Sequence, residues 1–524
     1  MIFSLVDIVS LNSRKFPGKD AFRFLSSALT HSELEEKSNK LAKHLKDKGV
    51  KRGFRVGIYM NRCLESAIAV YGILKAGGCY VPLDPAAPIE RSRFVLKDCN
   101  IKHLVTTKNQ SRKIKKLLAT TTEVDCLIGC ELEDMPWSFS WEDIFKLSLK
   151  DYLALQIMEQ DLAYILYTSG STGTPKGIMH THYSALNYAK LVVDQYQFDT
   201  SDVLGSTAPL HFDMSTFGYF AAPLAGATCT LISDMHLKMP TSLVDFLKKS
   251  KITAWYSVPL ILIQLLQTGL LKNEDFDTLK WVLFAGEVFP TKHLRSLMGI
   301  WKGKTFGNVY GPTEVNQCTF YNLRTAPKSD APIPIGRVWK NTEYKILDEN
   351  DKEVSEGQPG LLVIRSGTMM KGYWNNPELT KALLYQETIV PGANAVYYRT
   401  GDLVQLNTQG ELLFLGRKDR QIKIRGFRIE IDEVENTLLR IADVAEVAVV
   451  VNQNNDEKVL MATVLPRDNR ALDVGEIYLF CKLHLPPYAV PEQIEIWKEF
   501  PRTGTGKIDR KAIAHKLTFS KYER

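Results

Sequence analysis

Small hydroxylated residues, glycines and a lysine are concentrated between positions 167 and 177, which read YTSGSTGTPKG. Glycines expose backbone N–H groups, and the serine and threonine hydroxyls add further hydrogen-bond donors. The Lys176 ammonium would add a counter-charge for an anion. The chemistry that this segment favours is therefore the binding of a phosphorylated ligand.

Two common nucleotide-binding patterns do not describe this loop. A Walker loop places Ser or Thr directly after its lysine and then opens a helix, whereas Lys176 precedes Gly177 and the strand-like residues 178–182, IMHTH. The dinucleotide pattern GxGxxG is also absent from it. A flexible Ser/Gly linker is the remaining alternative, and a Pro-Lys-Gly sequence between two predicted strands argues against it.

The elements around the loop predict an α/β fold. Strand-like runs alternate with amphipathic helical stretches, as in 55–60 followed by 63–77 and in 162–168 followed by 183–196. Such alternation predicts layers of helices and mainly parallel sheets. From about residue 340 short strands separated by turns predict a smaller β-rich subdomain, and the C-terminal stretch carries strand and helix signals of its own.

Length and composition indicate a globular enzyme with more than one domain, since 524 residues exceed a single compact core. The net charge of +7 is mild, and we interpret the basic cluster 108–116 as a solvated face. Eight scattered cysteines without a CxxC pair suit a reducing compartment. The N-terminus is not typical of a secretory signal, and glycines and a proline interrupt the uncharged run 214–233. We therefore expect a soluble cytoplasmic protein that binds neither nucleic acid nor membrane.

Five ordered motifs give the chain a family resemblance. The loop is followed by VYGPTE (309–314), YRTGD (398–402), GRKDRQIKIRGFRIE (416–430) and PRTGTGKIDR (501–510). Together they resemble the adenylate-forming superfamily, which includes acyl-CoA synthetases, firefly-type luciferases and adenylation domains of nonribosomal peptide synthetases. The last of these branches is the most similar, and the resemblance covers essentially the whole chain.

The resemblance implies a two-step reaction and a two-part enzyme. ATP and a carboxylic acid form an acyl-AMP with loss of pyrophosphate, with Mg²⁺ as cofactor, and a thiol then takes the acyl group as a thioester. The family organisation places a large N-terminal domain at 1–417, a hinge at 418–420 and a small mobile lid at 421–524. Closure of such a lid would exclude water from the reactive mixed anhydride.

The family motifs also imply the residues of the ATP site. Lys507 on the lid would bridge the carboxylate and the α-phosphate, Thr313 would contact the α-phosphate, and Glu314 would bind Mg²⁺ as an oxygen ligand. Asp402 and Arg417 would bind the ribose. The other expected nucleotide contacts, in the phosphate loop and around adenine, are Thr168, Ser169, Gly170, Ser171, Thr172, Gly173, Lys176, Ala285, Gly286, Glu287, Asn308, Tyr310 and Gly311.

Two further positions follow from the same motifs. Asp419 would be the hinge about which the lid rotates, and Gly426 would line the channel for a pantetheine thiol. One lid position would bring Lys507 in for adenylation, and another would withdraw it for thiol transfer.

The clearest indication of the substrate is the block FDMS at 212–215. In amino-acid-activating members of the family the aspartate of this block pairs with the substrate's amino group, and Asp213 occupies that position. An unpaired buried carboxylate is costly, so a cationic partner is expected; capping of the following helix is the alternative role. Local alignment implies a compact, mostly apolar pocket made of Asp213, Met214, Phe217, Tyr256, Leu283, Ala285, Val309, Gln317, Cys318 and Lys507.

This pocket resembles that of free-standing prolyl ligases, so L-proline is the expected substrate. Phe217 and Gln317 depart from the commonest version, which has aliphatic residues there, and Gln317 leaves room for a small polar group. D-alanine, another small neutral amino acid and a β-amino acid remain open.

The expected acceptor is a separate carrier protein that bears phosphopantetheine, because we recognise neither a condensation block nor a pantetheine attachment motif in the sequence. Three other functions compete with an amino-acid ligase of this kind. Asp213 and the narrow pocket count against an acyl- or aryl-CoA synthetase, and intact Lys176, Glu314, Asp402 and Lys507 count against a non-catalytic scaffold. Light emission has no positive support.

Overall fold

The computed structural model describes residues 2–119, 123–170, 174–454, 457–467, 470–502 and 508–519. The chain divides into two compact units. Unit 1 comprises Met1–Pro85, Arg93–Tyr167 and Gly177–Lys418. Unit 2 comprises Asp419–Arg524 together with two short segments, Ala86–Ser92 and Thr168–Lys176.

The largest sheet of unit 1 has nine strands. These are β1 (Asp20–Phe24), β2 (Ser27–Thr30), β10 (Val203–Ser206), β11 (Thr228–Leu231), β12 (Ala254–Ser257), β13 (Trp281–Phe284), β14 (Thr305–Tyr310), β15 (Thr319–Leu323) and β16 (Arg337–Val338). Their order is β16-β15-β14-β13-β12-β10-β11-β1-β2. The strands from β14 to β1 are parallel, and antiparallel strands end the sheet on both sides. The parallel strands are mostly buried, as expected for a sheet covered on both faces.

A second sheet has eight strands in the order β19-β9-β8-β4-β3-β5-β6-β7. They are β3 (Arg55–Tyr59), β4 (Cys79–Leu83), β5 (His103–Thr106), β6 (Cys126–Ile128), β7 (Ser138–Phe139), β8 (Leu162–Thr168), β9 (Lys176–Thr181) and β19 (Gly372–Tyr373). The predicted strands at 55–60 and 162–168 are therefore β3 and β8. The helix predicted at 63–77 is α3 (Leu64–Lys75), and the helix predicted at 183–196 is α7 (His182–Tyr196).

The predicted β-rich subdomain is a five-stranded antiparallel sheet. Its strands are β17 (Thr342–Leu347), β18 (Gly360–Ser366), β20 (Leu384–Val390), β21 (Ala393–Leu406) and β22 (Leu412–Arg417). The long strand β21 pairs with β18, β20 and β22, so it forms the centre of this sheet.

The other helices outside the C-terminal part are α1 (Leu5–Lys15), α2 (His31–Asp47), α4 (Ile89–Asp98), α5 (Ser111–Leu118), α6 (Trp141–Phe145), α8 (Ala222–Leu224), α9 (Asp234–Lys238), α10 (Pro240–Ser250), α11 (Pro259–Gln267), α12 (Thr291–Ile300) and α13 (Pro377–Ala382). Local sequence explains where several of them begin. The Thr30 hydroxyl accepts the Glu33 N–H at 3.2 Å, and the Glu33 carboxylate accepts the Thr30 N–H at 2.9 Å, which caps α2. Among the described residues, no helix combines the length and the hydrophobicity that crossing a membrane requires.

Unit 2 has a small α+β core of its own. Its elements are β23 (Gln421–Ile424), β24 (Phe427–Glu430), α14 (Ile431–Leu438), β25 (Val444–Asn454), β26 (Glu457–Pro466), α15 (Val474–His484), β27 (Gln493–Ile496) and α16 (Arg510–Phe519). The buried Glu435 of α14 links these elements, since it accepts hydrogen bonds from Arg420 at 2.7 Å, from the Val449 N–H at 2.8 Å and from Arg510 at 3.0 Å. A buried carboxylate is stable here because several donors surround it.

Candidate active site

The residues predicted to form the substrate pocket lie near the carboxyl ends of three parallel strands. Tyr256 lies on β12, Leu283 on β13 and Val309 on β14, and Tyr256 stands directly opposite Leu283 in the sheet. The carboxyl ends of parallel strands meet at one edge of a sheet, where ligands of open α/β folds bind. The local strand patterns therefore bring together side chains that are far apart in the sequence.

The apolar pocket residues are buried in one hydrophobic cluster. They are Met214, Phe217, Tyr256, Leu283, Ala285 and Val309. The Phe217 and Tyr256 rings meet edge to face, with their centroids 5.2 Å apart. Cys318 is fully buried, with its Sγ 3.6 Å from the Tyr310 carbonyl oxygen.

Gln317 has a specific partner inside this pocket. Its side-chain amide donates to the Tyr256 hydroxyl oxygen, and both side chains are buried. Burial raises the pKa of Tyr256 well above its usual 10, so the ring remains a neutral phenol. Gln317, where the sequence departs from the aliphatic residue expected by resemblance, is thus part of a buried polar pair.

Asp213 is half-buried, and its two carboxylate oxygens have different partners. Oδ1 accepts the Met214 N–H at 2.7 Å, and Oδ2 accepts the Thr313 hydroxyl at 2.7 Å. The following helical turn, Phe217–Ala221, has Thr216 at its N-terminus and no side-chain cap. The Thr313 hydroxyl links the carboxylate to the loop after β14.

The loop after β14 is held by donors from the second sheet. Glu314 is fully buried, and the Tyr373 hydroxyl donates to its Oε1 at 2.7 Å. The Glu314 carbonyl accepts the Met370 N–H at 2.7 Å, and the Thr313 carbonyl lies 2.9 Å from the His180 Nε2. The sequence motif identified Thr313 and Glu314, whereas His180 and Tyr373 were missed.

The same loop requires a glycine at position 311. A Cβ atom on Gly311 would lie 2.0 Å from the Asn316 carbonyl oxygen. Asn316 itself adopts a left-handed conformation with φ of 55°. The tight turn brings Gln317 and Cys318 back to the strand end at Tyr310.

The expected ribose-binding residues form a compact group on neighbouring strands. Asp402 on β21 lies opposite Arg417 on β22, and Arg417 Nη1 is 2.6 Å from Asp402 Oδ1. The Tyr310 hydroxyl donates to the other oxygen of Asp402. An ionised carboxylate only accepts hydrogen bonds, so Asp402 is chemically suited to bind ribose hydroxyls, which can donate.

The expected adenine-contacting residues lie along the ends of β13 and β14. Asn308 stands opposite Phe284 in the parallel register, and its side-chain amide donates to the Pro334 carbonyl at 2.8 Å. The Ala285 N–H donates to Ser257, and Gly286 has a φ of 97°, followed by Glu287 at the turn. These positions surround the same carboxyl edge as the pocket residues.

Within unit 2, the described part of the phosphate loop has features of a binding loop. The Thr168 hydroxyl is buried and has no hydrogen-bond partner among the described residues. The Ser169 hydroxyl donates to the Arg428 carbonyl at 2.9 Å, and a Cβ on Gly170 would lie 2.1 Å from the Thr174 carbonyl oxygen. Lys176 begins β9. The predicted contacts Ser171, Thr172, Gly173 and Lys507 lie outside the described residues.

The predicted hinge and channel positions have defined local structure. The Asp419 Oδ1 accepts the Gln421 N–H at 3.1 Å, which makes a local Asp turn. Arg425 and Gly426 connect β23 to β24 with φ values of 54° and 79°. Two consecutive positive φ angles are typical of a tight hairpin turn, where glycine is favoured.

The donor set fits Mg²⁺ that takes most of its ligands from phosphate and water. Among the described residues, no group of three His, Cys, Asp or Glu side chains could hold a metal ion alone. Mg²⁺ commonly uses one or two protein carboxylates together with phosphate oxygens, and Glu314 offers one buried carboxylate. The buried Thr168 hydroxyl, which has no partner in the described part of the chain, likewise fits a phosphate-binding loop.

Two family models match the chain. The model of the AMP-binding enzyme family matches residues 10–374, and that of the AMP-binding enzyme C-terminal domain matches residues 433–507. The chain therefore belongs to the AMP-binding enzyme family.

Individual relatives differ in how much of their length the chain covers. The L-proline--[L-prolyl-carrier protein] ligase of Pseudomonas fluorescens is 31% identical over 96% of this chain and 97% of its own length. A linear gramicidin synthase of Brevibacillus parabrevis is 36% identical over 96% of this chain, which spans only 9% of that protein. A Vibrio cholerae adenylation domain, AlmE, solved in complex with glycyl-adenosine-5'-phosphate, has a TM-score of 0.83 and 25% identity over 98% of this chain and 97% of its own.

These findings confirm the family resemblance and the α/β fold with a small C-terminal part. They also make the protein an ATP-dependent ligase whose cofactors are ATP and Mg²⁺. The roles of individual site residues stay predictions.

Proposed function

We propose that this enzyme activates a small amino acid, with L-proline as the favoured substrate, and loads it onto a separate carrier protein. The amino acid and ATP form an aminoacyl-AMP, and the phosphopantetheine thiol of the carrier then takes the acyl group. The observation that carries this proposal is the Asp213 carboxylate next to a cluster of buried apolar side chains at the carboxyl edge of the sheet. The named activity of the Pseudomonas relative and the glycyl adenylate in the Vibrio structure support it.

Asp213 can select an amino group because a carboxylate near a buried pocket needs a positive partner. Two of the groups that donate to it, the Met214 N–H and the Thr313 hydroxyl, are neutral. A carboxylate oxygen can accept more than one hydrogen bond, so a substrate ammonium can share these oxygens. A carboxylic acid without an amino group would leave this charge without its expected partner, which disfavours fatty-acid and aryl substrates.

The pocket favours a compact neutral side chain. Three of the predicted pocket residues are large, buried side chains that contact one another: the Phe217 and Tyr256 rings meet edge to face, and Gln317 donates to Tyr256. Apart from Asp213 and Lys507, the predicted pocket residues carry no formal charge. L-proline satisfies both conditions, and D-alanine and small β-amino acids are the alternatives that an assay must separate.

In the first step a carboxylate oxygen of the amino acid forms a bond to the α-phosphorus, and the bond from that phosphorus to the pyrophosphate oxygen breaks. Repulsion between the two anionic reactants must be offset by positive charge. Lys507, which lies outside the described residues, would supply it at the α-phosphate, and Mg²⁺ on Glu314 would offset the charge of the phosphates. Asp402 with Arg417 would orient the ribose.

In the second step the thiolate sulfur attacks the acyl carbonyl, and AMP leaves. We propose that the region 421–524 acts as a mobile lid between these steps, with 418–420 as its hinge and 1–417 as the body. The boundary of the two compact units between Lys418 and Asp419 supports a hinge at Asp419. Gly426 would then line the path of the pantetheine arm.

The experiment is amino-acid-dependent exchange of labelled pyrophosphate into ATP, screened over the twenty amino acids, D-alanine and several β-amino acids. Each active amino acid is paired with its analogue that lacks the amino group, which for proline is cyclopentanecarboxylate. Asp213→Asn should lower kcat/KM for the amino acid by about 100-fold or more, because truncating one partner of a close charge pair costs roughly 2–5 kcal/mol.

The exposed Asp194→Asn on α7 is the matched control. Unchanged kinetics of the Asp213→Asn variant would refute the assignment, and exchange supported by fatty or aryl acids alone would identify an acyl- or aryl-CoA synthetase. Acylation of a phosphopantetheinylated carrier protein in preference to free coenzyme A completes the test.

We also propose a cytoplasmic location and a role in nonribosomal peptide or related natural-product synthesis. All eight cysteines are free and seven are buried, which suits a reducing compartment. The gramicidin synthase and the prolyl-carrier ligase among its relatives support the metabolic role. Fractionation of the producing cells checks the location.

A further inference from the structure

His180 is a buried ring that is oriented by contacts on three sides. It lies on β9, and its ring stacks on Tyr164 with the centroids 4.9 Å apart and the planes inclined by 24°. Nε2 is 2.9 Å from the Thr313 carbonyl oxygen, and Nδ1 is 3.1 Å from the Ser184 hydroxyl.

These contacts define which nitrogen carries the proton. A carbonyl oxygen can only accept, so Nε2 donates to Thr313 and Nδ1 accepts from Ser184. Burial lowers the pKa of His180 to about 4, which keeps the ring neutral in this arrangement near pH 7. The Ser184 oxygen also accepts the Thr181 N–H at 3.1 Å, so the partner of Nδ1 is itself fixed.

Thr313, whose carbonyl accepts the His180 proton, also contacts Asp213, the proposed amine-binding carboxylate. The Thr313 hydroxyl donates to Asp213 Oδ2 at 2.7 Å, so two hydrogen bonds and one residue separate His180 from Asp213. The orientation of the Thr313 peptide determines where its hydroxyl points. A donor that fixes this peptide therefore also fixes the rotamer of the carboxylate.

Packing alone does not require a histidine at this position. An aromatic or aliphatic side chain could fill the space against Tyr164 without bringing a polar group into the core, which carries a cost unless it is hydrogen-bonded. What histidine adds is an N–H that reaches the Thr313 carbonyl from the opposite sheet.

We propose that His180 is a positioning residue for amine recognition, which holds the Thr313 peptide so that the Thr313 hydroxyl presents Asp213 to the substrate ammonium. The inference rests on the proposed amine-binding role of Asp213. Loss of the His180 donor should then raise KM more for the amino acid than for its analogue without the amino group, whereas any disturbance of the predicted contact between Thr313 and the α-phosphate would act on both substrates alike. A residue with only a packing role would affect both substrates alike.

Three variants separate the role of the donor from that of the ring. His180→Phe keeps the stacking on Tyr164 and removes the donor. His180→Gln keeps an N–H donor at about the same distance from the backbone as Nε2. His180→Asn has the same amide group, but its shorter side chain places the N–H near the position of Nδ1. The readouts are KM and kcat in pyrophosphate exchange, with the amino acid selected by the screen and with its analogue, together with the melting temperature.

We expect His180→Phe and His180→Asn to raise KM for the amino acid by about tenfold, the scale of one lost hydrogen bond with its orientation effect. Their kcat should change by the same factor with both substrates, their KM for the analogue should rise by less than about threefold, and His180→Gln should resemble wild type with both substrates. In an Asp213→Asn background the Phe and Asn substitutions should cause no further rise, because coupled residues are not additive.

Equal effects on the amino acid and on its analogue would overturn the proposal, as would a His180→Gln variant that is as impaired as His180→Asn. If His180→Phe does not fold, the Asn and Gln variants decide the question alone. If Asp213→Asn itself leaves amino-acid activation unchanged, the proposed function fails. If only the His180 variants show no effect, the proposed function stands and this inference falls.

Discussion

Lowering the pH from 7 to 5 should destabilise the folded protein through His182, because the fold holds this ring neutral. His182 is fully buried at the first residue of α7, and its Nδ1 accepts the Leu5 N–H at 3.3 Å. Burial lowers the pKa of His182 from 6.5 to about 4, while the nearby Asp161 and Asp7 act in the opposite direction with smaller effect. A proton on Nδ1 would remove the acceptor and leave a charge in the core.

The sign and size of the effect follow from the two pKa values. The folded value lies below the unfolded value, so the unfolded chain takes up the proton first as the pH falls. The stabilisation is fully present above about pH 6.5 and is lost as the pH falls toward 4. Between pH 7 and pH 5 this single group should lower the free energy of unfolding by about 2 kcal/mol.

The assay is calorimetric unfolding at pH 7 and pH 5 for wild type and for His182→Asn, whose side-chain oxygen can still accept the Leu5 N–H. The variant should lose about 2 kcal/mol less than wild type over this interval, which corresponds to roughly 2 °C in melting temperature for a unit of this size. His515→Asn, at an exposed position of α16, is the control. If His182→Asn loses as much stability as wild type between the two pH values, the neutral buried histidine is refuted.

Two other substitutions test the pocket and the core. Gln317→Leu removes the donor to Tyr256 and a polar group from the pocket, so kcat/KM for 4-hydroxyproline relative to proline should fall about tenfold; an unchanged ratio in pyrophosphate exchange would contradict the polar role of Gln317. Arg62→Met removes a buried guanidinium that donates to the carbonyls of Ile232 at 2.7 Å and Thr207 at 2.6 Å, and the loss of stability should be about 3 kcal/mol. Urea unfolding of Arg62→Met measures this loss, and a midpoint equal to that of wild type would show that these bonds contribute nothing.

Local sequence patterns predicted secondary structure well where one short periodic run specifies one element. The strand predicted at 162–168 is β8, and the helix predicted at 183–196 is α7 extended by one residue at its start. Both depend on the spacing of apolar side chains over a few turns or pleats, which is a local property. The change to short strands near residue 340 likewise predicted a β-rich subdomain, which the structure shows as a five-stranded antiparallel sheet.

The motifs identified single residues of the site but not the contacts among them. Glu314 and Asp402 were expected from family motifs, whereas nothing near Glu314 in the sequence indicates that Tyr373 donates to it. Asp402 was expected to bind ribose and also accepts the Tyr310 hydroxyl, 92 residues away in the chain. Pairs of this kind depend on strand order and register, which a single sequence does not specify.

What the sequence determined by itself is therefore the family and the layered α/β fold, and it predicted the chemically active residues, because each depends on local patterns and short motifs. The tertiary structure alone decided how these residues are held. The orientation of Asp213 by Thr313, and of Thr313 by His180, requires two separate sheets to meet at one loop. Hydrogen bonds act over about 3 Å, and only the folded chain brings such distant segments that close.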